Sequence, residues 1–599
     1  MTDTARRNTL KGLAATLGAA VLPGCASNSP SAPPLRQGDD AAALTQLQTW
    51  LGERMKQLPH VNLSIAVLDG DQVTWSTGLG MADPTQKIAA SAHTRYRAGS
   101  ISKVFTAMAA MQLAEQGRLD LDAPLATVLP GFRMRSRFPE AGPVTPRLIL
   151  QHRSGLPSDW AEGMWTDSPE DFGRLVHTLG DSHMAFPPGA GHAYSNVGFT
   201  LLGAAIQHIT GERFESWMQR QWLDPMGMGD SAFEVAPSSG PLAAAALNAK
   251  GKVEHEPSLR DLPAGGLNST VLDLLQLARL WFAKGSLIGR NLLNQSSITA
   301  MQTLSSPPAL GDFAPIGLGW FLRDDLLDGV GPVLWHAGGT LHHHAQLMLL
   351  PQLKLAVAVM SSTQNAGELA QEAAIKALTL MATARTGVDP TRAQRTDIDP
   401  TYPPALLEHY VGDYDTPMGM IRIERDAQRL SVQAMGKHLR LAPNAVGYTH
   451  LQYRLLGLIP INLGQLGKLV FTRHDTVDGQ AWLLARNKGG FSLLGTRLVP
   501  LPIPLAWQKR LGQYSYTGGD AYLAKDFKAL RLIEDAGLLV AEVQADDGVM
   551  RLALAPLNDD EATLRGLGRS RGDTVYASLN DGQTVLRCAG MSFVRQSVG

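Results

Sequence analysis

The sequence predicts an α+β protein in which one antiparallel sheet, covered by helices on both faces, is followed by one or two antiparallel β-barrel-like modules. Strand patterns occur near both ends of residues 40–385, and the block between them is mainly helical. From residue 405 onwards helical patterns become rare and short alternating strands dominate. With 599 residues, the chain is too long for a single hydrophobic core. We therefore expect several domains, ordered from helix-rich to strand-rich.

The first 25 residues predict an export signal. Arg6 and Arg7 precede a mainly apolar stretch at residues 10–22, broken only by Lys11, and residues 22–25 read Leu-Pro-Gly-Cys. Twin arginines before an apolar run are typical of twin-arginine export signals, and the Leu-x-Gly-Cys end resembles a bacterial lipobox, whose cysteine carries lipid. We expect an exported lipoprotein on the periplasmic side, anchored in the membrane through Cys25. The outer membrane is favoured because Ala26 is not the aspartate that commonly retains lipoproteins in the inner membrane. An ordinary cleaved signal peptide is the alternative.

The elements of residues 26–385 follow from composition and periodicity. Residues 26–39, rich in Ser, Pro and Gly, predict a flexible tether, and a helix is expected over residues 40–57. Residues 63–68 and 72–76 flank Asp69-Gly70, a strong signal for a β-hairpin. A helix follows Ser100 and ends near Gly117. Residues 120–330 alternate between helices and Pro/Gly-rich loops, and the last elements of the domain are strands at 333–335, 345–350 and 355–360 and a helix at 366–384.

The remainder of the chain is predicted to form a linker and two β-modules. Residues 386–404 carry recurring prolines and read as an interdomain linker. Beyond it, Tyr-Val-Gly-Asp-Tyr at residues 410–414 is echoed by Arg-Leu-Gly-Gln-Tyr at 510–514, and Leu-Arg-Leu-Ala-Pro at 439–443 by Leu-Ala-Leu-Ala-Pro at 552–556. This internal repeat predicts β-barrel-like modules at residues 405–500 and 505–599. A single split β-domain is the alternative.

Charge and cysteine content exclude several classes of function. Lys and Arg number 53 against 54 Asp and Glu, for a formal net charge of -1. Such a balance gives no charge-driven attraction to nucleic acid, which we do not expect as a partner, or to an anionic membrane surface. No apolar run is long enough to span a bilayer. The only cysteines are Cys25 and Cys588, so Cys588 has no partner within the chain if Cys25 carries lipid.

The tetrapeptide Ser100-Ile101-Ser102-Lys103, at the start of an apolar helical run, carries the strongest chemical signal. Helical spacing places Ser100 and Lys103 on one face, a turn apart. A serine hydroxyl is a poor nucleophile until a base takes its proton, and a lysine in a dry pocket can have a pKa low enough to help. The alternative is a helix start with an exposed lysine.

Two further motifs occur downstream, Tyr194-Ser195-Asn196 and His336-Ala337-Gly338. In order and separation the three motifs resemble those of the serine β-lactamase and penicillin-binding superfamily, and most of all its class C and esterase-like branch. Residues 148–156 (LILQHRSGL) and 263–267 (PAGGL) resemble supporting segments of that family. The resemblance covers residues 40–385 and implies a β-lactamase-like α/β sandwich with serine hydrolase activity that requires no metal and no other cofactor.

The resemblance implies a role for each motif residue. Ser100 would attack a carbonyl and form an acyl-enzyme. Lys103 and Tyr194 would share the role of general base, and the sequence leaves open which of the two is the base. Asn196 would orient Lys103 and bind the acyl amide of the substrate. The backbone N–H groups of Ser100 and Gly339 would form the oxyanion hole.

The residue at position 336 departs from the family pattern. Most β-lactamases and penicillin-binding proteins carry lysine there, a permanent cation that helps to hold the substrate carboxylate. A histidine, with an ordinary pKa near 6.5, is largely neutral at pH 7, so His336 favours esters or amides without that carboxylate. Gly338 and Gly339 would let this strand approach the substrate closely. The His-x-Gly form is familiar in esterases and D-aminopeptidases of the superfamily. The D-aminopeptidases also carry two C-terminal barrels, and a loop of the last barrel reaches their active site; no sequence signal locates such a loop here.

Two other clusters have simpler interpretations. His342-His343-His344 suggests a metal site, but adjacent strand residues point to opposite faces, so we expect a hairpin turn and the start of the next strand. Residues 133–137 (RMRSR) form a small basic patch, for which a solvated loop is expected.

The sequence therefore predicts an exported serine hydrolase acting on a small ester, amide or peptide substrate. The alternatives are a β-lactamase or DD-peptidase acting on β-lactams or peptidoglycan peptides, and a non-catalytic cell-envelope binding protein of the same fold. The complete set of motif residues favours an enzyme, since a decayed site would be expected to lack one of them.

Overall fold

A computed structural model describes residues 33–596, except for residues 305–314, 324–325, 328, 391–403, 427–428, 435–436, 444–448, 456–458, 462–469, 476–478, 488–489, 519–528 and 546–547. The predicted export signal, with Arg6, Arg7 and Cys25, lies outside the described residues, as does most of the predicted linker. Among the helices of the described part, none is long and apolar enough to cross a membrane.

A six-stranded antiparallel sheet forms the centre of the first domain. Its strands are β1 (Leu63–Asp69), β2 (Gln72–Leu79), β3 (Phe321–Arg323), β4 (Val333–Gly339), β5 (His344–Leu350) and β6 (Leu355–Ser361). Their spatial order is β3-β4-β5-β6-β1-β2. Strands from both ends of the domain therefore meet in one sheet, which confirms the predicted arrangement. The pairing of β1 with β6 joins the two ends, with Ile65 opposite Val359.

Helices cover both faces of this sheet. On one face α1 (Asp40–Gln57) packs with α5 (Gly367–Thr386), and their side chains share a core with those of β1 and β6, including Leu47, Ile65 and Val357. The other face bears α2 (Ser102–Glu115), α3 (Asn196–Thr210) and α4 (Val271–Phe282). A strand that is buried on both faces is apolar throughout, which explains why β6 reads LAVAVMS.

Short elements connect these units. Helices of four to seven residues lie at Leu125–Val128, Pro146–Leu150, Leu175–Thr178, Phe214–Met218, Leu262–Gly265 and Gln295–Met301. Short 3-10 and π turns lie at Gly99–Ile101, Phe172–Arg174, Leu179–Asp181 and Gln219–Leu223. Short strands lie at Met81–Asp83, Ile88–Ala89, Tyr96–Arg97, Trp165–Thr166, Ala232–Phe233, Ser258–Leu259, Leu267–Ser269, Ser286–Leu287 and Arg290–Asn291.

Helix α2 is the central helix of the domain. Every residue from Ser102 to Leu113 is buried, and a helix that is apolar on all sides belongs in the middle of a large core. The Ser102 hydroxyl donates to the carbonyl of Gly99 at 2.6 Å and accepts the backbone N–H of Leu267 at 2.9 Å. These bonds fix the turn Gly99–Ile101, which holds Ser100 at the entrance to the helix.

Beyond a short helix at Pro404–Tyr410, the chain forms two antiparallel β-modules, as predicted. The first module is a nine-stranded sheet ordered β10-β9-β8-β7-β15-β14-β13-β11-β12, with a further pairing between β10 and β11. In chain order its strands β7 to β15 are Gly412–Thr416, Gly419–Asp426, Arg429–Ala434, Lys437–Pro443, Thr449–Leu455, Ile459–Ile461, Val470–Asp475, Ala481–Asn487 and Gly490–Arg497.

The second module follows a short helix at Leu505–Lys509 and is a closed barrel of eight strands in chain order. Its strands β16 to β23 are Gly512–Tyr516, Leu530–Asp535, Leu538–Ala545, Gly548–Pro556, Glu561–Leu564, Thr574–Asn580, Gln583–Cys588 and Met591–Arg595. We call this module the terminal barrel.

The internal repeat marks the same local structure in both modules. In each, a short helix leads into a glycine with φ near the left-handed limit, Gly412 at 148° and Gly512 at 144°. The tyrosine two residues later is buried and donates its hydroxyl to a carbonyl four residues back: Tyr414 to Tyr410 at 2.9 Å, and Tyr514 to Arg510 at 2.6 Å. The repeated sequence at residues 410–414 and 510–514 therefore marks the same connection from a short helix to a strand in both modules.

The terminal barrel contacts the first domain directly. The Arg137 guanidinium pairs with Glu561 at 2.8 Å and donates to Thr574 at 2.9 Å. His183 and Tyr576 are joined by a 2.7 Å hydrogen bond. The expectation that residues 133–137 form only a solvated loop is therefore wrong for Arg137, because the barrel supplies an acidic partner and removes that side chain from most of the solvent.

Candidate active site

Ser100 and Lys103 are neighbours, as their spacing predicts. Lys103 Nζ lies 3.2 Å from Ser100 Oγ. The serine is half-buried, whereas the lysine side chain is fully buried on α2. Burial holds the pKa of Lys103 well below its usual value; the Arg569 guanidinium lowers it further, while Asp159 and Asp261 raise it. The alternative of an exposed helix lysine is excluded by this burial.

Two other contacts determine what Lys103 can do. Its Nζ also lies 2.6 Å from Asn196 Oδ1 and 2.7 Å from the carbonyl oxygen of Ala264. Both oxygens can only accept, so two N–H bonds of the amine are directed at them. In the neutral amine the lone pair is then the group left to face Ser100 Oγ. The PAGGL turn thus supplies one hydrogen-bond acceptor of the lysine, the carbonyl oxygen of Ala264.

Tyr194 lies over the same amine. Lys103 Nζ is 4.7 Å from the centre of its ring, and the His152 ring packs on it at 4.3 Å between centroids. Desolvation raises the pKa of the Tyr194 phenol above its usual value, against the lowering effect of a hydrogen bond with Ser100. His152 also accepts the Ser195 N–H at 3.1 Å, so it supports the Tyr-x-Asn motif.

Strand β4 passes close to the turn that carries Ser100. A Cβ at Gly338 would lie 1.8 Å from the carbonyl oxygen of Ala98, and a Cβ at Gly99, where φ is 52°, would lie 2.7 Å from the Gly339 nitrogen. Only residues without side chains permit this approach. It brings the backbone of Gly339 beside the turn at Ser100, which is the arrangement that an oxyanion hole requires.

We expect Gly338→Ala to destabilise the protein by about 1–3 kcal/mol or more, because the new methyl group overlaps the Ala98 carbonyl. Gly339→Ala is the matched control, since a Cβ there meets no described heavy atom within 4 Å. Thermal unfolding of both variants measures the difference. Equal melting temperatures would contradict the close approach of β4 to Ala98.

His336 is 2% exposed and uses Nδ1 to donate to the carbonyl of its neighbour Ala337 at 2.7 Å. Burial lowers the pKa of His336 to about 3, with a further contribution from Lys103. The expectation of a pKa near 6.5 is therefore wrong, because the sequence does not reveal the loss of solvent around the ring. With its pKa at about 3, His336 is neutral at pH 7.

We expect the preference between carboxylate-bearing and neutral esters to stay constant between about pH 5.5 and 8. Since the folded-state pKa of His336 lies at about 3, the imidazole gains no charge in this range. The measurement is the ratio of kcat/KM for two esters that differ only in the carboxylate. A ratio that rises below about pH 6.5 in the wild type but not in His336→Asn would contradict the neutral His336.

The three consecutive histidines have separate partners, as expected for a turn and a strand start. His342 pairs through Nδ1 with the buried Glu256, and His343 Nδ1 accepts the Arg97 backbone N–H at 3.2 Å. His344, which begins β5, uses Nε2 to donate to the carbonyl of Gln364 at 2.9 Å. Within the described residues no group of three or more His, Cys, Asp and Glu side chains is arranged to hold a metal ion.

A loop of the terminal barrel contributes a charged residue to this site. The 565–573 loop, between β20 and β21, places Arg569 so that its Nε donates to Asp159 Oδ2 at 2.6 Å. The guanidinium carbon lies 6.0 Å from the centre of the Tyr194 ring. The loop is held tightly: Ser570 N–H donates to Ser158 Oγ at 2.7 Å, and a Cβ at Gly572 would overlap the Ala185 carbonyl.

Sequence analysis missed both Asp159 and Arg569. Asp159 occurs three residues after the LILQHRSGL stretch, and the loop reads RGLGRSRGD at residues 565–573. A glycine- and arginine-rich loop in the last module, together with an acidic residue beside a recognised segment, was the available signal. Nothing in the chain marks the two as partners.

Comparison with known proteins gives consistent results. A family model described as Beta-lactamase matches residues 47–380, more than half of the chain. "Protein flp" of Staphylococcus aureus (strain NCTC 8325 / PS 47) is 24% identical over 307 residues, which are 50% of this chain and 59% of that protein. "Penicillin-binding protein 4" of Amycolatopsis lactamdurans is 26% identical over 324 residues, 51% of this chain and 81% of that protein. The match thus spans about three-fifths of the first relative.

Similar solved structures extend further along the chain. SurE with D-Leu superposes with a TM-score of 0.55 at 23% identity, covering 76% of this chain and all of that one. The octameric penicillin-binding protein homologue from Pyrococcus abyssi gives a TM-score of 0.50 at 22% identity, with 75% and 99% covered. These likenesses concern the fold. Together with the family match, they confirm the superfamily that the motifs predicted: the chain belongs to the β-lactamase family.

Proposed function

We propose that this protein is a serine hydrolase that acts through an acyl-enzyme on esters or on small amides and peptides. The observation that carries the proposal is the environment of Lys103 Nζ, which lies 3.2 Å from Ser100 Oγ while two carbonyl oxygens occupy its N–H groups. A buried amine whose lone pair faces a half-buried hydroxyl can act as the base that activates this hydroxyl as a nucleophile.

In the proposed acylation step, Ser100 Oγ attacks the substrate carbonyl carbon as its proton passes to Lys103. The C–O bond to Ser100 forms and the carbonyl oxygen becomes an oxyanion, stabilised by the N–H groups of Ser100 and Gly339. The tetrahedral intermediate then collapses, the bond to the leaving group breaks, and Tyr194 is placed to hand that group a proton. Water releases the acyl group by the reverse sequence of proton transfers.

The pKa shifts support Lys103 rather than Tyr194 as the base in the free enzyme. Burial lowers the pKa of the Lys103 amine, which favours its neutral, basic form, and desolvation raises the pKa of the Tyr194 phenol, which keeps its proton. An amine that can accept and a phenol that can donate divide the two proton transfers between them.

The neutral His336 supports substrates without a carboxylate, as in esterases and D-aminopeptidases. One observation favours a second candidate, a DD-peptidase-like activity on peptides with a free carboxylate. Among the described residues Arg569 hydrogen-bonds only through Nε, so its remaining N–H groups are available beside Tyr194. The guanidinium could then supply the cation that position 336 lacks.

A fluorophosphonate probe followed by peptide mass spectrometry tests the proposal. We expect one labelled serine, in the peptide that contains Ser100. A panel of nitrophenyl acetate and butyrate, D-alanyl nitroanilide with and without a carboxylate, and nitrocefin then ranks the substrates. Faster turnover of the carboxylate-bearing members would favour the second candidate. A folded protein that takes up no probe would contradict the hydrolase and leave the non-catalytic binding protein.

Export and the lipid on Cys25 belong to the same proposal. Their support is the sequence of residues 6–25, and the acyl-enzyme chemistry does not depend on them.

A further inference from the structure

A chain of polar contacts leads from the terminal barrel to Lys103. Arg569 Nε donates to Asp159 Oδ2 at 2.6 Å, and Asp159 Oδ1 accepts from Asn196 Nδ2 at 2.6 Å. Asn196 Oδ1 in turn accepts from Lys103 Nζ at 2.6 Å. The side chains of Arg569 and Asp159 are 23% and 17% exposed, so these contacts are largely shielded from water.

Asp159 decides which way the amide of Asn196 points. A side-chain amide has one accepting and two donating positions that are nearly identical in shape. An ionised carboxylate can only accept, so it selects the orientation in which Nδ2 faces Asp159 and Oδ1 faces Lys103. In the opposite orientation Nδ2 would face the amine, and donor would face donor. The lone pair of Lys103 would then no longer be directed at Ser100.

Arg569 in turn keeps Asp159 ionised. Burial alone would raise the pKa of Asp159, but the Arg569 charge, its hydrogen bond and the Asn196 amide bring the pKa below its usual value. A protonated Asp159 could donate to Asn196 Oδ1, and the selection of the amide orientation would be lost. The guanidinium belongs to a residue of a different domain, which lies 410 positions after Asp159 in the chain.

We propose that Arg569 and Asp159 are positioning residues, through which the docked terminal barrel fixes the Asn196 amide and thereby directs the Lys103 lone pair at Ser100. The proposal rests on the proposed function for its kinetic consequence, but the geometry of the relay does not depend on turnover. The barrel then completes the catalytic apparatus of the first domain in addition to packing against it.

The kinetic test uses the full chain and a neutral nitrophenyl ester, so that any binding of a carboxylate by Arg569 is not measured. We expect Arg569→Met and Asp159→Asn each to lower kcat by roughly 10- to 100-fold. The double variant should lose about as much as either single variant, because both act through one contact. Arg569→Lys keeps the charge beside Asp159 and should recover most of the loss.

Arg565→Met is the matched control. Arg565 lies in the same loop, but its Nε faces Asp415 at 3.5 Å and it makes no contact with Asp159 in the described part of the chain. Its kcat should stay within about twofold of the wild type. Three results would overturn the proposal. They are losses of kcat that multiply in the double variant, an unchanged kcat in Arg569→Met, and a loss of kcat in Arg565→Met equal to that in Arg569→Met.

A second measurement reads the relay without turnover. The pKa of Lys103 is followed by 13C NMR of ε-labelled lysine, with the signal assigned by its loss in Lys103→Arg. The titratable groups that face Lys103 are Arg569, Asp159, Asp261, Tyr194, His152 and His336. Arg569→Met removes a positive charge and should raise the pKa of Lys103, whereas Asp159→Asn removes a negative charge and should lower it.

Opposite shifts distinguish the relay from a loss of packing, because simple opening of the site would move the pKa of Lys103 upwards in both variants. Shifts of the same sign overturn the relay. If the wild type takes up no fluorophosphonate but the shifts are opposite, the proposed function fails and the relay stands.

Discussion

We expect Ser100→Ala to abolish labelling by a fluorophosphonate probe and to lower kcat on a nitrophenyl ester by about 10,000-fold or more. The alanine has no Oγ to attack the carbonyl, so the proposed path through an acyl-enzyme is closed. What remains is stabilisation of the oxyanion by backbone N–H groups and binding of the substrate. Probe uptake measured by intact-mass spectrometry and initial rates at saturating ester check both parts. Since Ser100 is only half-buried, the melting temperature should change little.

Ser102→Ala is the matched control within the same tetrapeptide. In the described part of the chain, Ser102 Oγ forms hydrogen bonds with Gly99 O and Leu267 N and none with Lys103 Nζ. Its loss leaves a buried N–H without an acceptor, at a cost of about 1–3 kcal/mol in stability. Below its lowered melting temperature, Ser102→Ala should still take up one equivalent of probe. Labelling that survives in Ser100→Ala, or that disappears in folded Ser102→Ala, contradicts the assignment of the nucleophile.

Several elements of the first domain were predictable because each depends on local spacing. The hairpin at Asp69-Gly70, the helix after Ser100 and the strands β4 to β6 follow from periodicity and turn residues. The position of the lysine beside the serine follows from one helical turn. The meeting of β1 with β6 was also foreseeable, since two sets of apolar strands at the ends of one domain can be buried together in one sheet.

Properties that depend on tertiary burial or docking were not predictable. The sequence gives His336 its ordinary pKa because nothing in its neighbours shows that the ring is 2% exposed. The Arg569–Asp159 pair joins residues 410 positions apart, and only the docking of the terminal barrel brings them together. The pairing of Arg137 with Glu561 has the same origin. Local pattern determines elements, whereas charge balance at the site depends on how domains meet.

This charge balance defines the chemical character of the site. His336 is neutral, the pKa of Lys103 is lowered, and Asp159 is paired with Arg569. An amine with a lowered pKa beside a compensated ion pair is suited to remove a proton from a hydroxyl. The Arg569 guanidinium, whose carbon lies 6.0 Å from the centre of the Tyr194 ring, enters from the terminal barrel. In the second candidate function proposed above, substrate preference therefore depends on a residue outside the first domain.

We expect Lys103→Met to lower kcat/KM by about 100- to 10,000-fold, the range that a positioned general base contributes. Methionine fills a similar volume but cannot accept the Ser100 proton. The effect also has a pH signature. Because the pKa of Lys103 lies below its usual value, the wild-type rate should rise with pH as the amine loses its proton, and this rise should vanish in the variant. The variant no longer has the free-energy cost of burying an amine, and this gain offsets the cost of leaving the Asn196 and Ala264 oxygens without a donor. The free energy of unfolding should therefore change little.

Lys103→Arg distinguishes between two roles of Lys103, that of a base and that of a fixed positive charge. Arginine keeps its proton at any assay pH, so it can stabilise negative charge but cannot activate Ser100. If Lys103 is the base, Lys103→Arg is as slow as Lys103→Met on a neutral nitrophenyl ester and is labelled by the probe at a similarly reduced rate. If the ammonium acted only as a cation, arginine would restore activity. Activity recovered in Lys103→Arg, or a loss below about tenfold in Lys103→Met, would indicate that Tyr194 is the base. In that case Tyr194→Phe would lose more activity than either lysine variant.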